Sequence, residues 1–430
     1  MSDFFHDIAE KKRFLPLFIS MMILYAASYF QRTSIPGTLF NDFQAEYGFS
    51  AAQIASLGSS YVYIYAFFQL VMGMLVDKYC GLRVVTFAGI LFVVGALGFP
   101  FVCGNLIAMC FFRFLCGMGS SALYLSLVKE TDRLFGRKNY AIMSGIVYFT
   151  GYSGGLFGTM PYAILKQHFN WNSILILVGF ISLGLYMVFL LSKRNIPAAP
   201  IAPKPISLRP LYFLIKNPYS WLVMFCGTVN FCCYFTIQTV FGMKFLQDFV
   251  GMSAAAASTT VFSLTLVCMF TLLGGGIFTR MIGNRRKPLL IFACSSCLAS
   301  TVLMLAAAYF RLPAFCFVTG YILFAFASGF SAIFSIANQE VNTADTITQS
   351  AGCINMFNYL SVAIFSQLIG LFLDQYITPE MLTEGKAVIY PASAYTTLFV
   401  LLLIPTTISV ICSTFIPETR GHFLRRSAKA

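Results

Sequence analysis

Twelve apolar-dominated stretches run along the chain, each near the ~20 residues that a helix needs to cross a lipid bilayer. They cover 14–38, 53–75, 82–102, 105–128, 140–165, 171–192, 219–243, 256–280, 288–309, 313–337, 349–374 and 392–416. Of the 430 residues, 58% are hydrophobic and only 10% charged, where soluble proteins carry about 25% charged residues. The expected fold class is an all-α membrane protein with twelve transmembrane helices.

A net charge of +13 would be compatible with a nucleic-acid partner, but its distribution points to topology instead. With the loops numbered alternately, 22 of the 28 Lys and Arg residues fall on one side. The opposite side holds Lys166, Lys244, Arg311 and Lys386, and only Arg32 and Arg113 lie within spans. The positive-inside rule then puts both termini in the cytoplasm, and a bacterial inner membrane is the expected location. The first apolar stretch is too long, and lacks the small-residue exit site, for a cleavable signal peptide. The 13 cysteines lie mostly in spans, and Cys294-x-x-Cys297 falls mid-span, so they read as small buried hydrophobes. No metal or cofactor is expected.

Residues 193–218 interrupt the pattern with five basic residues and six prolines. Proline fixes φ and removes a donor, so this stretch reads as an extended connector. It separates an N-terminal six-helix bundle, 1–192, from a C-terminal one, 219–430. The two halves also echo each other. Gly73, Asp77, Gly81 and Arg83 stand between spans two and three; Gly276, Arg280, Gly283 and Arg285 stand between spans eight and nine.

Several spans carry single polar faces at helical spacing. Tyr25, Ser28, Tyr29 and Arg32 share a face of span one, and Tyr61, Tyr65 and Gln69 a face of span two. Span four offers Arg113, Gly117 and Tyr124, and span five Tyr148 and Tyr152. Span seven contributes Asn230, Tyr234 and Gln238, and span eleven Asn355, Asn358 and Tyr359. Such stripes fit a central aqueous cavity. For Tyr61, Tyr152, Asn230 and Gln238, hydrogen bonding between helices is the equal alternative. Arg113 opens a glycine motif that reads first as helix packing. Arg32 has no Asp or Glu within four residues, and a guanidinium mid-helix costs about 2.5–3.5 kcal/mol on insertion scales. An anionic substrate would lower that cost.

The acidic residues and the three histidines all fall in loops, tails or span ends on this reading. A proton-driven symporter usually needs a protonatable group along the pathway, whereas arginine does not release its proton. The expectation is a transporter of a small organic anion, a carboxylate, phosphate ester or zwitterion, working as exchanger or facilitator and performing no covalent chemistry. Arg32 would anchor the substrate, with Tyr29, Tyr65, Gln69, Tyr124, Tyr148, Asn230, Gln238, Asn355 and Asn358 shaping the cavity. A proton-coupled exporter of drugs or siderophores, drawing on Glu130 or Glu340, is one alternative. A transporter-like membrane sensor is another. The partners expected are the substrate and the lipid bilayer, not nucleic acid, for a monomeric chain. No Gly-x-x-x-x-Gly-Lys-Ser/Thr sequence is present to bind a nucleotide.

The paired loop signatures, Arg113-Phe-Leu-Cys-Gly117-Met-Gly119 and Pro417-Glu418-Thr419-Arg420-Gly421 resemble those of the major facilitator superfamily over essentially the whole chain. That resemblance implies two pseudo-symmetric six-helix bundles rocking about a midplane site. It implies a cytoplasmic cluster of Asp77, Arg83, Arg133 and Glu418 that opens and closes with the rocking. Gly73, Gly81, Arg113 and Arg280 complete the expected gating set. Locally, Tyr29-Phe-Gln-Arg32 and Gly48-Phe49-Ser50 look like the organophosphate:phosphate antiporters, which implies that Arg32 takes the place of their phosphate-gripping arginine. The family's basic residue on span seven has no counterpart in Tyr234-Phe-Thr-Ile-Gln238, and Gln69 stands where it has lysine. One fixed charge suits a monoanion, carboxylate or zwitterion better than a dianionic ester.

Overall fold

The computed structural model describes residues 12–194, 196, 212, 214–343, 347–378, 381 and 387–424. The expected linker lies largely outside them. Every regular element among the described residues is helical. In hydrocarbon an unpaired backbone N–H or C=O costs several kcal/mol, and a helix satisfies all but those at its ends. Three helix starts are fixed by asparagine side chains accepting from the following turn: Asn105 from Ala108 N at 3.1 Å, Asn170 from Asn172 N at 2.8 Å and Asn217 from Tyr219 N at 3.2 Å. These are the caps expected from a short polar side chain.

In chain order the helices are α1 (Leu15–Ser34), α2 (Phe40–Tyr47), α3 (Ala51–Tyr79), α4 (Gly81–Gly98), α5 (Leu106–Phe157), α6 (Met160–Leu165) and α7 (Trp171–Lys193). They continue as α8 (Pro218–Thr236), α9 (Gly242–Asp248), α10 (Ala254–Met281), α11 (Lys287–Tyr309) and α12 (Ala314–Gly329). Last come α13 (Ser331–Glu340), α14 (Ile347–Asp374) and α15 (Ala392–Phe415). A π-turn, Ile237–Phe241, joins α8 to α9.

Among the described residues, ten helices are long and apolar enough to cross a membrane. Two of the twelve expected spans, 14–38 and 140–165, are not among the ten, and the second lies partly outside the described side chains. α1 ends in Ser28, Tyr29, Gln31, Arg32, Thr33 and Ser34, all buried within the protein. The stretch 150–155, Thr-Gly-Tyr-Ser-Gly-Gly, trades hydropathy for close packing. It lies in the second arm of α5, which folds back on its first. The hydroxyls of Tyr124 and Tyr148 are hydrogen-bonded, yet a straight helix would hold those residues about 36 Å apart. The outward surface is apolar: Ile107 is 84% exposed and Phe87 74%. Water would not tolerate such a surface on a soluble monomer; acyl chains do.

The chain divides into two compact units, Met1–Ser34 with Ser60–Ile206, and Ile35–Ser59 with Ser207–Ala430. In the first, α1 packs on α5 and α7, and α4 on α5 and α7. In the second, α8 packs on α13, α14 and α15, and α11 on α12 and α15. Residues 35–59 join the second unit through explicit bonds. Asp374, at the end of α14, takes the amides of Ala51 (2.8 Å) and Ala52 (3.0 Å) and the Ser50 hydroxyl (2.7 Å). It therefore caps α3 from outside, with its charge at the positive end of the helix dipole. Gly370, one turn before Asp374, admits the backbone of Ala51 and Ala52; a Cβ there would lie 2.8 Å from Ala52 Cα.

Lys244 was expected in an outer loop, but helix continues through it to Asp248. The two form a buried pair, Nζ to Oδ1 3.0 Å, with side chains 0% and 3% exposed. Val388 O takes a further bond from Lys244, while Tyr390 N and the Tyr395 hydroxyl donate to Asp248. Those bonds are what make burial of the two charges tolerable.

A Cβ added at Gly154 would strike Ala26 O on α1, so Gly154→Ala is expected to lower the thermal midpoint, with a penalty of about 1–3 kcal/mol. Gly184, inside α7, has nothing within 4 Å of an added Cβ. Gly184→Ala should leave the midpoint unchanged or raise it, by up to ~1 kcal/mol. Unfolding of the two variants in detergent checks both.

Candidate substrate-binding site

Helical spacing on α1 stacks Tyr25, Ser28, Tyr29 and Arg32 on one face, and in the first unit that face meets Tyr61 and Tyr65 of α3. Arg32 is 1% exposed. Its guanidinium carbon sits 4.5 Å from the ring centre of Tyr29, 4.4 Å from Tyr65 and 5.5 Å from Tyr61. Tyr61 and Tyr65 stack at 6.1 Å, and the Tyr61 hydroxyl donates to Ser28 O at 3.3 Å. A desolvated cation–π contact contributes up to ~2 kcal/mol. Three together are comparable with the insertion cost of the charge, ~2.5–3.5 kcal/mol. The rings thus hold Arg32 in place, and stacking directs a guanidinium's in-plane N–H groups at polar neighbours.

The aromatic cluster extends from there. Tyr25 meets Tyr29 edge-on at 5.1 Å and stacks on Tyr124 at 5.8 Å; Tyr124 meets Tyr148 at 5.3 Å, and Tyr29 meets Tyr152 at 5.5 Å. Tyr29, Tyr65, Tyr124 and Tyr148 therefore belong to one continuous group with Arg32. Gln69 is buried one turn beyond Tyr65 on α3. Tyr25, Tyr61 and Tyr152, which helical spacing places on the same polar faces but which were not among the residues expected to shape the cavity, belong to the same group.

A second guanidinium lies in this cluster. Arg113, also 1% exposed, stands 4.7 Å from the Tyr61 ring and donates from Nη1 to Gln31 O at 2.8 Å. Gly117, one turn on, lets α5 press against the Tyr61 carbonyl, and Gly119 lets it press against α4 at Phe92. Sequence reasoning had allowed the pocket one fixed charge; the first unit buries two around a single ring. Both guanidinium carbons approach that ring, which keeps them within about 10 Å, and at an effective dielectric of ~20 they repel by roughly 1.5–2 kcal/mol.

In the second unit the candidate amides bond to neighbouring helices. Asn230 donates to Cys294 Sγ at 3.5 Å, where Ser409 also donates at 3.2 Å. Gln238, in the π-turn, donates to Thr265 at 2.7 Å, and Asn358 accepts from Thr228 at 3.1 Å. Asn355 is half-buried. These residues are brought to three different helix contacts rather than to one another, the helix-joining use of polar groups in apolar bundles. Cys294 and Cys297 are buried thiols.

The gating candidates resolve into one carboxylate site in each unit. Glu130, at the foot of the first arm of α5, accepts from Arg133 Nε at 2.6 Å, Cys80 Sγ at 3.0 Å and Leu82 N at 3.3 Å. It thereby caps α4, and Gly81 is needed because a Cβ there would lie 2.9 Å from Glu130 Oε1. In the second unit Glu418 accepts from the amides of Arg286 (2.8 Å) and Lys287 (3.1 Å), capping α11. Glu340 pairs with Arg286 Nη2 at 3.0 Å and accepts from Thr419. Gly73 lies near Leu125, and Arg83 is half-buried on α4. The side chains of Asp77 and Arg280 lie outside those described. Arg133 and Glu418, expected together in one cluster, each have a local partner.

The sequence profile of the Major Facilitator Superfamily matches residues 21–366. The chain belongs to that superfamily. Membrane sensor protein UhpC of Escherichia coli (strain K12) is 22% identical over 250 residues, 52% of this chain and 55% of that protein. The chain thus spans about half the length of the curated relative it matches. Among solved structures, a bacterial homolog of the human lysosomal transporter Spinster aligns with a TM-score of 0.73 at 14% identity, over 93% of this chain and 96% of its own. The peptide transporter POT in complex with sulfate gives 0.74 at 12% identity over 96% of each chain. A D-xylose-proton symporter gives 0.72 at 12% identity over 95% of this chain and 99% of its own. At such identities the likeness is one of fold.

The loop signature that the chain shares with the superfamily lies around Glu130, and Cys80 reports on that site. Cys80 holds φ at +76°, a left-handed value uncommon for a side chain other than glycine. Burial pushes its thiol above the ordinary range, with the hydrogen bond to Glu130 and the Glu130 charge adding to the rise. Thiolate is the reactive form, so raising the pKa slows alkylation at neutral pH. Maleimide labelling of Cys80, followed by peptide mass spectrometry, is expected to keep accelerating above about pH 8.5, where an ordinary thiol levels off. In Glu130→Gln the labelling should be faster at pH 7.

Proposed function

We propose that this superfamily member carries a small organic anion across the membrane by alternating access, as exchanger or facilitator, with Arg32 as the substrate anchor. The supporting observation is a fully buried guanidinium held by three tyrosine rings at 4.4, 4.5 and 5.5 Å in the polar last turn of an otherwise apolar helix. Rings and hydroxyls position that charge, and an anion entering beside it gains Coulomb energy in a low-dielectric setting. The working unit is a monomer in a bacterial inner membrane with both termini cytoplasmic. Its two six-helix bundles, 1–192 and 219–430, move about the linker 193–218. Asn355 and the amides of Asn230, Gln238 and Asn358 belong to the cavity wall in this reading.

A proton-coupled exporter is less favoured, because Glu130 and Glu340 are both engaged as ion-pair partners. A ligand sensor is the second reading, favoured by the likeness to a protein named as a membrane sensor.

Thermal unfolding of purified protein against carboxylates, phosphate esters and amino acids tests the anion claim. At a ligand concentration of ~100 times Kd, linkage gives roughly 2.7 kcal/mol of stabilisation. That gain should be seen with an anion and be absent in Arg32→Ala. A neutral or cationic ligand that stabilises both proteins equally would reject the reading. Counterflow in reconstituted vesicles separates transport from sensing, since a sensor gives none.

A further inference from the structure

We infer that Arg113 is a positioning residue for the Arg32 site and sets how many negative charges that site accepts. The inference rests on the reading of Arg32 as an anion anchor and adds a second residue to it. Five contacts carry it. Arg113 Nη1 donates to Gln31 O at 2.8 Å, the carbonyl immediately before Arg32 in the chain. Its guanidinium carbon lies 4.7 Å from the Tyr61 ring, and that of Arg32 lies 5.5 Å from the same ring. The Tyr61 hydroxyl reaches back to Ser28 O, one turn before Arg32, at 3.3 Å. Gly117 presses α5 onto the Tyr61 carbonyl, so the ring that Arg32 faces is fixed from both its edge and its backbone.

Two consequences follow from this arrangement. Arg113 restrains the backbone that carries Arg32 and the ring that faces it, so the direction of the Arg32 fork depends on a residue 81 positions away in the chain. Arg113 also places a second fixed positive charge beside the first, both of them 1% exposed. Each negative charge of a ligand feels the field of both arginines, and at about 10 Å and an effective dielectric of ~20 Arg113 contributes roughly ten-fold in affinity for each such charge, so a dianion gains more from it than a monoanion. A purely structural Arg113, tying α5 to α1, would affect stability and leave that discrimination alone.

The test uses matched anions that differ only in charge: a phosphate monoester against its methyl diester, and a dicarboxylate against its monoamide. Binding to the full-length protein is measured for wild type, Arg113→Gln, Arg113→Lys and Arg32→Gln. Expected is a dianion-to-monoanion affinity ratio roughly ten-fold lower in Arg113→Gln than in wild type, and largely restored in Arg113→Lys. Arg32→Gln should lose both ligands. If Arg113→Gln lowers all affinities by the same factor and keeps the ratio, the inference is overturned while the anion reading stands. If no anion binds in an Arg32-dependent way, the anion reading fails and takes this inference with it. Should Arg113→Gln not fold, Arg113→Met replaces it as the uncharged variant with the same two outcomes. In wild type, affinity for the phosphate monoester should also rise with pH through about 6, as its second proton leaves, while a monocarboxylate shows no such step; a flat profile for both overturns the inference.

Discussion

A cation buried against aromatic faces is the constraint around which the first unit is arranged. Arg32 has no route to water within its own helix, because the polar last turn of α1, from Gln31 to Ser34, is itself buried in the protein. Its charge must therefore be accommodated on the spot, and three tyrosines from two helices do so. Each of those rings then needs support. Tyr61 takes it from Arg113 and from the glycine-backed approach of α5, and Tyr29 from Tyr25 and Tyr152. The close packing of α1, α3 and α5 is in this sense organised by one guanidinium.

The same logic of locally satisfied charge recurs at the ends of the helices. Glu130 caps α4 and pairs with Arg133; Glu418 caps α11, with Glu340 and Arg286 beside it; Asp374 caps α3. Glu130 ends the fourth span and Glu340 the tenth, so the echo between the two halves extends from the loop signatures to the carboxylates that hold them. Carboxylates at helix N-termini draw on the dipole as well as on the amide hydrogen bonds. Lys244 and Asp248 show the costlier alternative, a charge pair wholly inside the protein that is tolerable only with three further hydrogen bonds around it.

Much of the site could be read along single helices. Tyr29 and Arg32, or Tyr65 and Gln69, share faces because a helix repeats every 3.6 residues, and no tertiary knowledge is needed to see it. Arg113 was harder. Its glycine motif pointed to packing, and packing is indeed what Gly117 and Gly119 do, but nothing local shows that the arginine comes to rest on the ring beside Arg32. The second-unit amides failed differently. Asn230, Gln238 and Asn358 were recognisable as polar groups in apolar helices, yet their partners, Cys294, Thr265 and Thr228, include residues too common in such spans to stand out.

Apolar run length and the placement of Lys and Arg determined by themselves that this chain is helical and spans a membrane many times, because a bilayer leaves backbone polar groups no other partner. The motifs likewise determined the superfamily. Only the tertiary structure decided that α5 doubles back to bring Tyr124 to Tyr148, that residues 35–59 bond to α14 rather than to their own half, and that two arginines share one tyrosine. Those outcomes depend on which side chains meet across distant stretches of chain, and the spacing within any one helix carries no information about that.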